Sequence, residues 1–518
     1  MNRPNVLLIM SDQHLAEAMS CEGHAHVQTP HLDRLAASGL RFRRAYAQDA
    51  ICGPSRCSMI TGLYPRTLGI LTNGDGPPSD PNASLPSEVG RGGEAMRHAR
   101  PLAPVVRQTP LPNHLREHGY HAACFGKQHL HRDLGVVWDE AESVLPGETP
   151  MTYFDWVQER GYLHTFLRDW IADTGRALPG LGTAFNASSS LASQVSDLPS
   201  DQTMEAYVRD RTISYLRQAK SLGRPFFCKA SFYRPHQPYT PTREYAQRID
   251  PAALQLPASF HQPADQLPPG LAQARADRQR PVDVATAHDD LTIFRSFLRN
   301  YYALIHEVDD CVGDILRVLD EEGLAEDTIV LYVSDHGEFA GNHGLFEKFA
   351  FDHNIYESTV RVPFMLSWPG HIAPGQVSDD LIELVDIYPT ILAAAGLPMP
   401  LCEPLSGVPL IDQNGARRPE RRAFSVTENW VQTTVITDRW KYGRWNVPPA
   451  TQGPRQMPMR DYRAFGDMVF DRTKDFHETS NVAATAEGRA VAARLSEMLA
   501  QWERATPNAA QAWNAADR

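Results

Sequence analysis

Cysteine is scarce in this chain, and what there is does not pair up. Seven cysteines stand at positions 21, 52, 57, 124, 228, 311 and 402, odd in number and without a ladder of spacings. That argues against a disulfide framework and for a reducing compartment. Long apolar runs are missing as well. No stretch approaches the roughly 20 apolar residues that span a bilayer. The first apolar run, Val6 to Met10, is too short for a signal-peptide core and has an acid right behind it. The expectation is a cytoplasmic protein with no membrane partner. Excess positive charge is also absent: 50 Lys and Arg face 62 Asp and Glu, a net charge of −12. No nucleic-acid partner is therefore expected, and any anion site has to be built locally. Internal repeats are not found.

The material for a large core is present. A chain of 518 residues, 42% hydrophobic and 22% charged, has the balance of a globular enzyme with two domains. Val6 to Met10 and Ile329 to Val333 are unbroken apolar runs, which suits central strands of a parallel sheet covered on both faces. Ala122 to Phe125 and Phe226 to Ala230 are weaker runs of the same kind. Helical segments lie between, from Leu32 to Ser38 before Gly39 and from Tyr301 to Glu322 before Gly323. The pattern predicts an α/β, doubly wound, mostly parallel sheet flanked by helices over residues 1–420. Insertions are expected at about 74–110, 134–205 and 250–290. Residues 421–504 read as a small C-terminal α+β domain with a short antiparallel sheet and a helix over 483–503. The tail, 505–518, is polar apart from Trp513, which could dock on another subunit of a homo-oligomer.

Chemistry-bearing residue types follow the ends of these strands, where open α/β sheets place their ligands. Asp12-Gln13 and Asp335-His336 offer two carboxylates, an amide oxygen and an imidazole, a set suited to a divalent cation. An acid at a strand end serves equally as a helix cap, and the residues alone leave both readings open. Cys52 opens the run Cys52-Gly53-Pro54-Ser55-Arg56, with Pro54 suited to the first turn of a helix. A cysteine there is either a small buried hydrophobe or a group at an anion-binding helix N-terminus. Arg56, one turn on, points back at the same centre. Lys127 and His129 in Gly126-Lys127-Gln128-His129 pair a cation with a proton-transfer group. His236 lies in a loop stiffened by Pro235 and Pro238. Tyr153, Phe154 and Trp156 either line a pocket or simply pack.

The Cys-x-Pro-Ser-Arg core resembles the maturation signature of the type I, formylglycine-dependent sulfatases of the alkaline phosphatase superfamily. Asp335-His336-Gly337-Glu338 resembles their second metal segment. Gly119-Tyr120 through His129 resembles their second signature, with Ala122 and Gln128 at positions more often Ser or Thr and aromatic. Tyr233 to Pro238 resembles their Pro-His-x-Pro segment, and Gly344 to Lys348 the segment of their last sulfate-binding lysine. The resemblance runs from Asn5 through Trp368-Pro369-Gly370 to Thr390 and resumes weakly at Val469 to Val482. It implies that Cys52 becomes formylglycine through a formylglycine-generating or equivalent maturation enzyme. It further implies one divalent cation on Asp12, Gln13, Asp335, His336 and residue 52. Ca²⁺ is the family default, and the His ligand leaves room for Mn²⁺ or Mg²⁺. The hydrated aldehyde attacks sulfur, the alcohol leaves with help from His236, and His129 then deprotonates the second hydroxyl to expel sulfate. Arg56, Lys127 and Lys348 stabilise the transferred group. Lys127, His236, Lys348 and Asn73 are the implied substrate contacts.

Many sulfatases place three Asp and one Asn on the metal; Gln13 and His336 depart from that set. The implied reaction is hydrolysis of a small-molecule sulfate ester, with phospho- and phosphonate esters also turned over. The Asp-Gln and Asp-His pairs resemble the choline sulfatase and phosphonate monoester hydrolase branches. The runner-up is therefore phosphonate monoester or phosphodiester hydrolysis, although that branch generally lacks Gly-Lys-x-His. A sulfatase-like protein that binds anions without turnover is the alternative of another class.

Overall fold

The computed structural model describes residues 3–71, 73, 108–145, 148, 152–174, 194–272, 275, 290–348, 355–400, 405–419, 421–429, 432–446 and 465–509. Trp513, Cys402 and nearly all of the 74–110 insertion lie outside the described residues. Nine strands form the main sheet: β1 (Asn5–Asp12), β2 (Leu40–Tyr46), β3 (His121–Gly126), β4 (Glu140–Glu142), β5 (Phe226–Pro235), β6 (Thr328–Ser334), β7 (Arg361–Val362), β8 (Phe364–Ser367) and β9 (Gln376–Glu383). Its order is β4-β3-β5-β1-β6-β8-β2-β7, with β9 paired to β2. The five strands from β4 to β6 are mutually parallel. Beyond β6 the sheet turns mixed, because β8 runs antiparallel to both β6 and β2.

The principal helices are α1 (Pro30–Ala37), α2 (Cys52–Thr61), α3 (Met204–Ala219), α4 (Asp290–Glu321), α5 (Ile387–Ala394) and α6 (Ala486–Ala505). Strand β1 is apolar without alternation because both of its faces are covered. Val6, Leu8 and Met10 pack with Cys57, Met59 and Ile60 of α2 and with α5. Leu7 and Ile9 pack on the other face with α3 and with the Val308, Val312, Ile315 and Leu319 stripe of α4. Tyr153, Phe154 and Trp156 belong to that second layer. Tyr153 meets Phe166 at 5.2 Å between ring centroids, and Trp156 meets Tyr207 at 5.2 Å. These aromatics pack.

The C-terminal residues form a separate antiparallel sheet, β10 (Ser425–Glu428), β11 (Gln432–Ile436), β12 (Trp440–Trp445) and β13 (Met468–Asp471). Helix α6 covers it with Val491, Leu495 and Leu499. Lys441 of β12 reaches out of this sheet. Its ammonium is fully buried and meets the Ile355 carbonyl at 2.8 Å, Glu357 at 2.8 Å and Glu478 at 2.5 Å. All six described cysteines are free, and among the described residues no helix is long and apolar enough to cross a membrane.

Strands β2 and β7 to β9 are not evident in the sequence. Leu40–Tyr46 carries three arginines and Gln376–Glu383 carries two adjacent aspartates, so neither forms an apolar run. Both β2 and β9 lie where the sheet is partly solvated, whereas β7 and β8 are buried but only two and four residues long. The long helix also starts earlier than expected, at Asp290 rather than Tyr301.

Removing one partner from a buried ion pair leaves an uncompensated charge and costs about 3–5 kcal/mol. Lys441→Met should therefore lower the free energy of unfolding by about that much in urea titrations. Val377→Ala at an exposed position should change it by less than about 0.5 kcal/mol.

Candidate active site

Four adjacent parallel strands, β3, β5, β1 and β6, end along one edge, so the residues after them converge. Asp12 ends β1. Gln13 then turns the chain at φ +66°, a left-handed conformation for a residue other than glycine. Two contacts hold it there: its N–H donates to Asp335 Oδ1 at 3.1 Å, and its carbonyl accepts from the Tyr301 hydroxyl at 2.7 Å. Asp335 Oδ1 also accepts from the His336 N–H at 3.0 Å. The ends of β1 and β6 are thus stitched together through the expected ligands themselves.

Helix α2 begins at Cys52, and Pro54 falls in the first turn, where a missing N–H breaks no bond. Cys52 Sγ lies 3.1 Å from His336 Nε2 and 3.8 Å from Asp12 Oδ1. His336 Nδ1 meets the Gly337 carbonyl at 2.9 Å and donates there, which leaves Nε2 facing Cys52. Asp12, Cys52, Asp335 and His336 offer ligand atoms all within 4.8 Å of one another, every one buried. Two carboxylates, an imidazole and the nearby Gln13 amide oxygen fit a divalent cation.

Arg56 is wholly buried beneath this cluster. Its Nε donates to Asp335 at 2.6 Å and one terminal nitrogen to Asp12 at 3.2 Å. The other holds the Lys127 carbonyl at 2.8 Å and the Ser231 hydroxyl at 3.0 Å. Arg56 thus lies at the centre, where its charge is spent on the two carboxylates expected as ligands. Asn73 caps α2, accepting from the Gly53 N–H at 2.7 Å, one residue from Cys52.

The two lysines rest on oxygens of the expected ligands. Lys127 donates to Asp12, with Tyr233 offering its ring at 5.2 Å. Lys348 donates to Gln13 Oε1 at 2.8 Å and lies 3.1 Å from His236 Nε2. His236 Nδ1 is 2.7 Å from the Gln237 carbonyl, which leaves Nε2 facing the centre. His129 sits at φ +51°. Both its ring nitrogens are buried, and neither has a hydrogen-bond partner among the described residues.

The charges are strongly coupled. Burial opposes ionisation of Cys52, but Lys127, Lys348 and His336 overcome it and hold the thiol well below its usual range. Asp12 is likewise penalised by burial and by Cys52, yet Lys127, His236 and Arg56 keep it ionised. His236 is lowered, first by burial and then by Lys348. Cys57 is pushed up to about 12, chiefly by burial, as an inert core thiol.

Sequence reasoning overlooked four contributors. Glu148 accepts the backbone N–H groups of Gln128 and His129 and so fixes their loop. Arg234 folds back onto the carbonyls of His236 and Pro238. Lys229, on β5 below Arg56, is buried without a hydrogen-bond partner among the described residues and is pushed down to about 8, mainly by burial. Glu338 sits behind Gln13. Glu338 and Arg234 carried a signal, each standing inside a segment singled out in the sequence, Asp335 to Glu338 and Tyr233 to Pro238.

A family model described as sulfatase matches residues 4–397. The chain belongs to the sulfatase family. It is 28% identical over 428 residues to the multifunctional alkaline phosphatase superfamily protein PehA of Trinickia caryophylli, covering 79% of this chain and 77% of that one. It is 26% identical over 419 residues to an arylsulfatase of Clostridium perfringens, covering 77% and 76%. The phosphonate monoester hydrolase of Agrobacterium radiobacter shares the fold, with a TM-score of 0.71, 23% identity, and 97% and 96% of the two chains covered.

In this sulfatase-family site the position of Lys127 depends on Gly126. Gly126 has φ +102°, and a Cβ there would stand 2.0 Å from the Ser231 carbonyl oxygen of β5. Gly126→Ala should part β3 from β5 and displace Lys127, with a fall in kcat/KM of roughly 100-fold, since a 1 Å misplacement costs that much. Steady-state kinetics on an aryl sulfate would check it, and wild-type kinetics would refute it.

Proposed function

We propose that this protein hydrolyses sulfate esters of small alcohols, with Cys52 matured to formylglycine as the nucleophile. The observation that carries the reading is the convergence on Cys52, at the start of α2, of the buried Asp12, Asp335 and His336 cluster with Lys127, Lys348, His129 and His236. Residue 52 as a hydrated aldehyde would supply the attacking oxygen, and a divalent cation on Asp12, Gln13, Asp335 and His336 would supply positive charge beside it. Ca²⁺ suits the mainly oxygen donor set, and His336 admits Mn²⁺ or Mg²⁺.

The protein's own groups do the rest. Arg56 holds the two carboxylates at a fixed spacing. Lys127 and Lys348 stay charged, because the acids around them outweigh burial, and they bind the anionic sulfuryl group. His236 presents Nε2 to the leaving oxygen. An entering anion offsets the effect of Lys348 and favours the protonated ring, the form able to donate. His129, whose buried ring nitrogens have no hydrogen-bond partner among the described residues, is the base for the second hydroxyl. Asn73, at the helix start, stands ready to contact the substrate. The proposal includes a maturation enzyme acting on Cys52. Free cysteines support a reducing compartment, the cytoplasm. Residues 1–420 form its catalytic unit and 421–504 a supporting one, with self-association through the tail.

Gln13 favours a second reading, hydrolysis of phosphonate monoesters or phosphodiesters. A neutral ligand in place of a carboxylate leaves the site more positive toward anions. The relative from Trinickia is named multifunctional, which agrees with shared use of one site.

Peptide mass spectrometry across residue 52 should show formylglycine, and a thiol there would leave only anion binding. Sulfate, phosphate and phosphonate esters of one alcohol should then rank with sulfate first; phosphonate first would select the second reading. Gln13→Asp should lower phosphoester turnover relative to sulfate turnover, and an unchanged ratio counts against the charge argument. His236→Ala should slow alkyl sulfates by roughly 10²–10⁴-fold and esters of good leaving groups far less. Equal losses would remove His236 from the leaving-group role.

A further inference from the structure

The Gln13 side chain has two chemically opposite ends, and only its carbonyl oxygen can face a cation. Its amide nitrogen lies among three acceptors. It donates to the Glu338 carboxylate and approaches the Tyr239 hydroxyl at 3.0 Å and Gln237 Oε1 at 3.1 Å. Tyr239 also donates to Glu338 Oε2 at 3.1 Å, and the other Glu338 oxygen accepts the Ala340 N–H at 3.2 Å. Glu338 is fully buried. A flipped amide would set its oxygen against the Glu338 carboxylate and its N–H groups against the Lys348 ammonium. Two mismatched buried polar contacts would result, each costly to leave unmade.

We infer that Glu338 is a positioning residue that fixes the Gln13 amide with its oxygen toward the cation site, placing a third carboxylate one side chain behind the ligands. The inference rests on the reading of Gln13 as a cation ligand. Its consequence is a division of labour. Gln13 touches the cation without charge, and Glu338 supplies the orientation from outside the ligand set. Outer partners of this kind typically contribute 10- to 100-fold in metal affinity.

The test is Ca²⁺ binding to the metal-free, full-length protein by titration calorimetry, with thermal unfolding as a check on folding. Glu338→Gln can turn its own N–H groups toward Gln13 and permits the flip. It should weaken Ca²⁺ binding roughly tenfold. Gln13→Ala should weaken binding as well, and adding Glu338→Gln to it should produce no further loss. Should Glu338→Gln fail to fold, Tyr239→Phe replaces it, with a several-fold loss expected only while Gln13 is present. Wild-type affinity in Glu338→Gln, alongside weakened binding in Gln13→Ala, would overturn the inference and leave the ligand reading intact. An undiminished Glu338→Gln effect in the Gln13→Ala background would overturn it too, since Glu338 would then act by another route. Unchanged binding in Gln13→Ala would remove the ligand reading itself and the inference with it.

Discussion

The buried guanidinium of Arg56 is the tie on which the site depends. It joins Asp12 at the end of β1 to Asp335 at the end of β6 and fixes the carbonyl of Lys127 after β3 and the hydroxyl of Ser231 on β5. One side chain therefore links four adjacent strands of the sheet, β3, β5, β1 and β6. A planar, permanently charged fork suits this task; the compact ammonium of lysine could not reach two carboxylates at fixed angles. The arrangement also resolves an electrostatic conflict. Two buried carboxylates side by side repel one another, and Arg56 bridges both while Lys127 adds a second cation on Asp12.

Around that tie the site is organised in pairs of a group and its holder. Cys52 is held at a capped helix start, His129 by the backbone grip of Glu148, His236 by Arg234 across its loop carbonyls, and Gln13 by Glu338. Of these holders Arg234 lies on β5, while Asn73, Glu148 and Glu338 lie in loops themselves, so precision here comes from hydrogen bonds between neighbouring loops as much as from the sheet beneath them.

Much of this was legible in the sequence, for definite reasons. Asp12 and Asp335 stand out because unbroken apolar runs end just before them, and such runs occur only where both faces of a strand are buried. Cys52 stands out because Pro54 marks a helix start. The holders stay hidden because their role depends on distance in space. Glu148 is 19 residues from the His129 amide it grips, and nothing near it in the chain distinguishes it from a surface acid. Strands β2 and β9 were hidden for the opposite reason: their charged residues face partial solvent and break the apolar pattern.

The contact between Lys441 and Glu357 limits how far the chain can be shortened. The family match ends at residue 397, and every side chain proposed for chemistry lies before that point. Glu357 does not stay neutralised within it. Lys441 and Arg472, both beyond 397, supply two of the cations around its carboxylate, and Lys441 also holds the Ile355 carbonyl. A minimal catalytic fragment cut at the family boundary would keep the full set of reacting groups and expose a carboxylate that the intact fold keeps buried and paired. For this protein, the contacts that keep that carboxylate paired reach further along the chain than the motifs do.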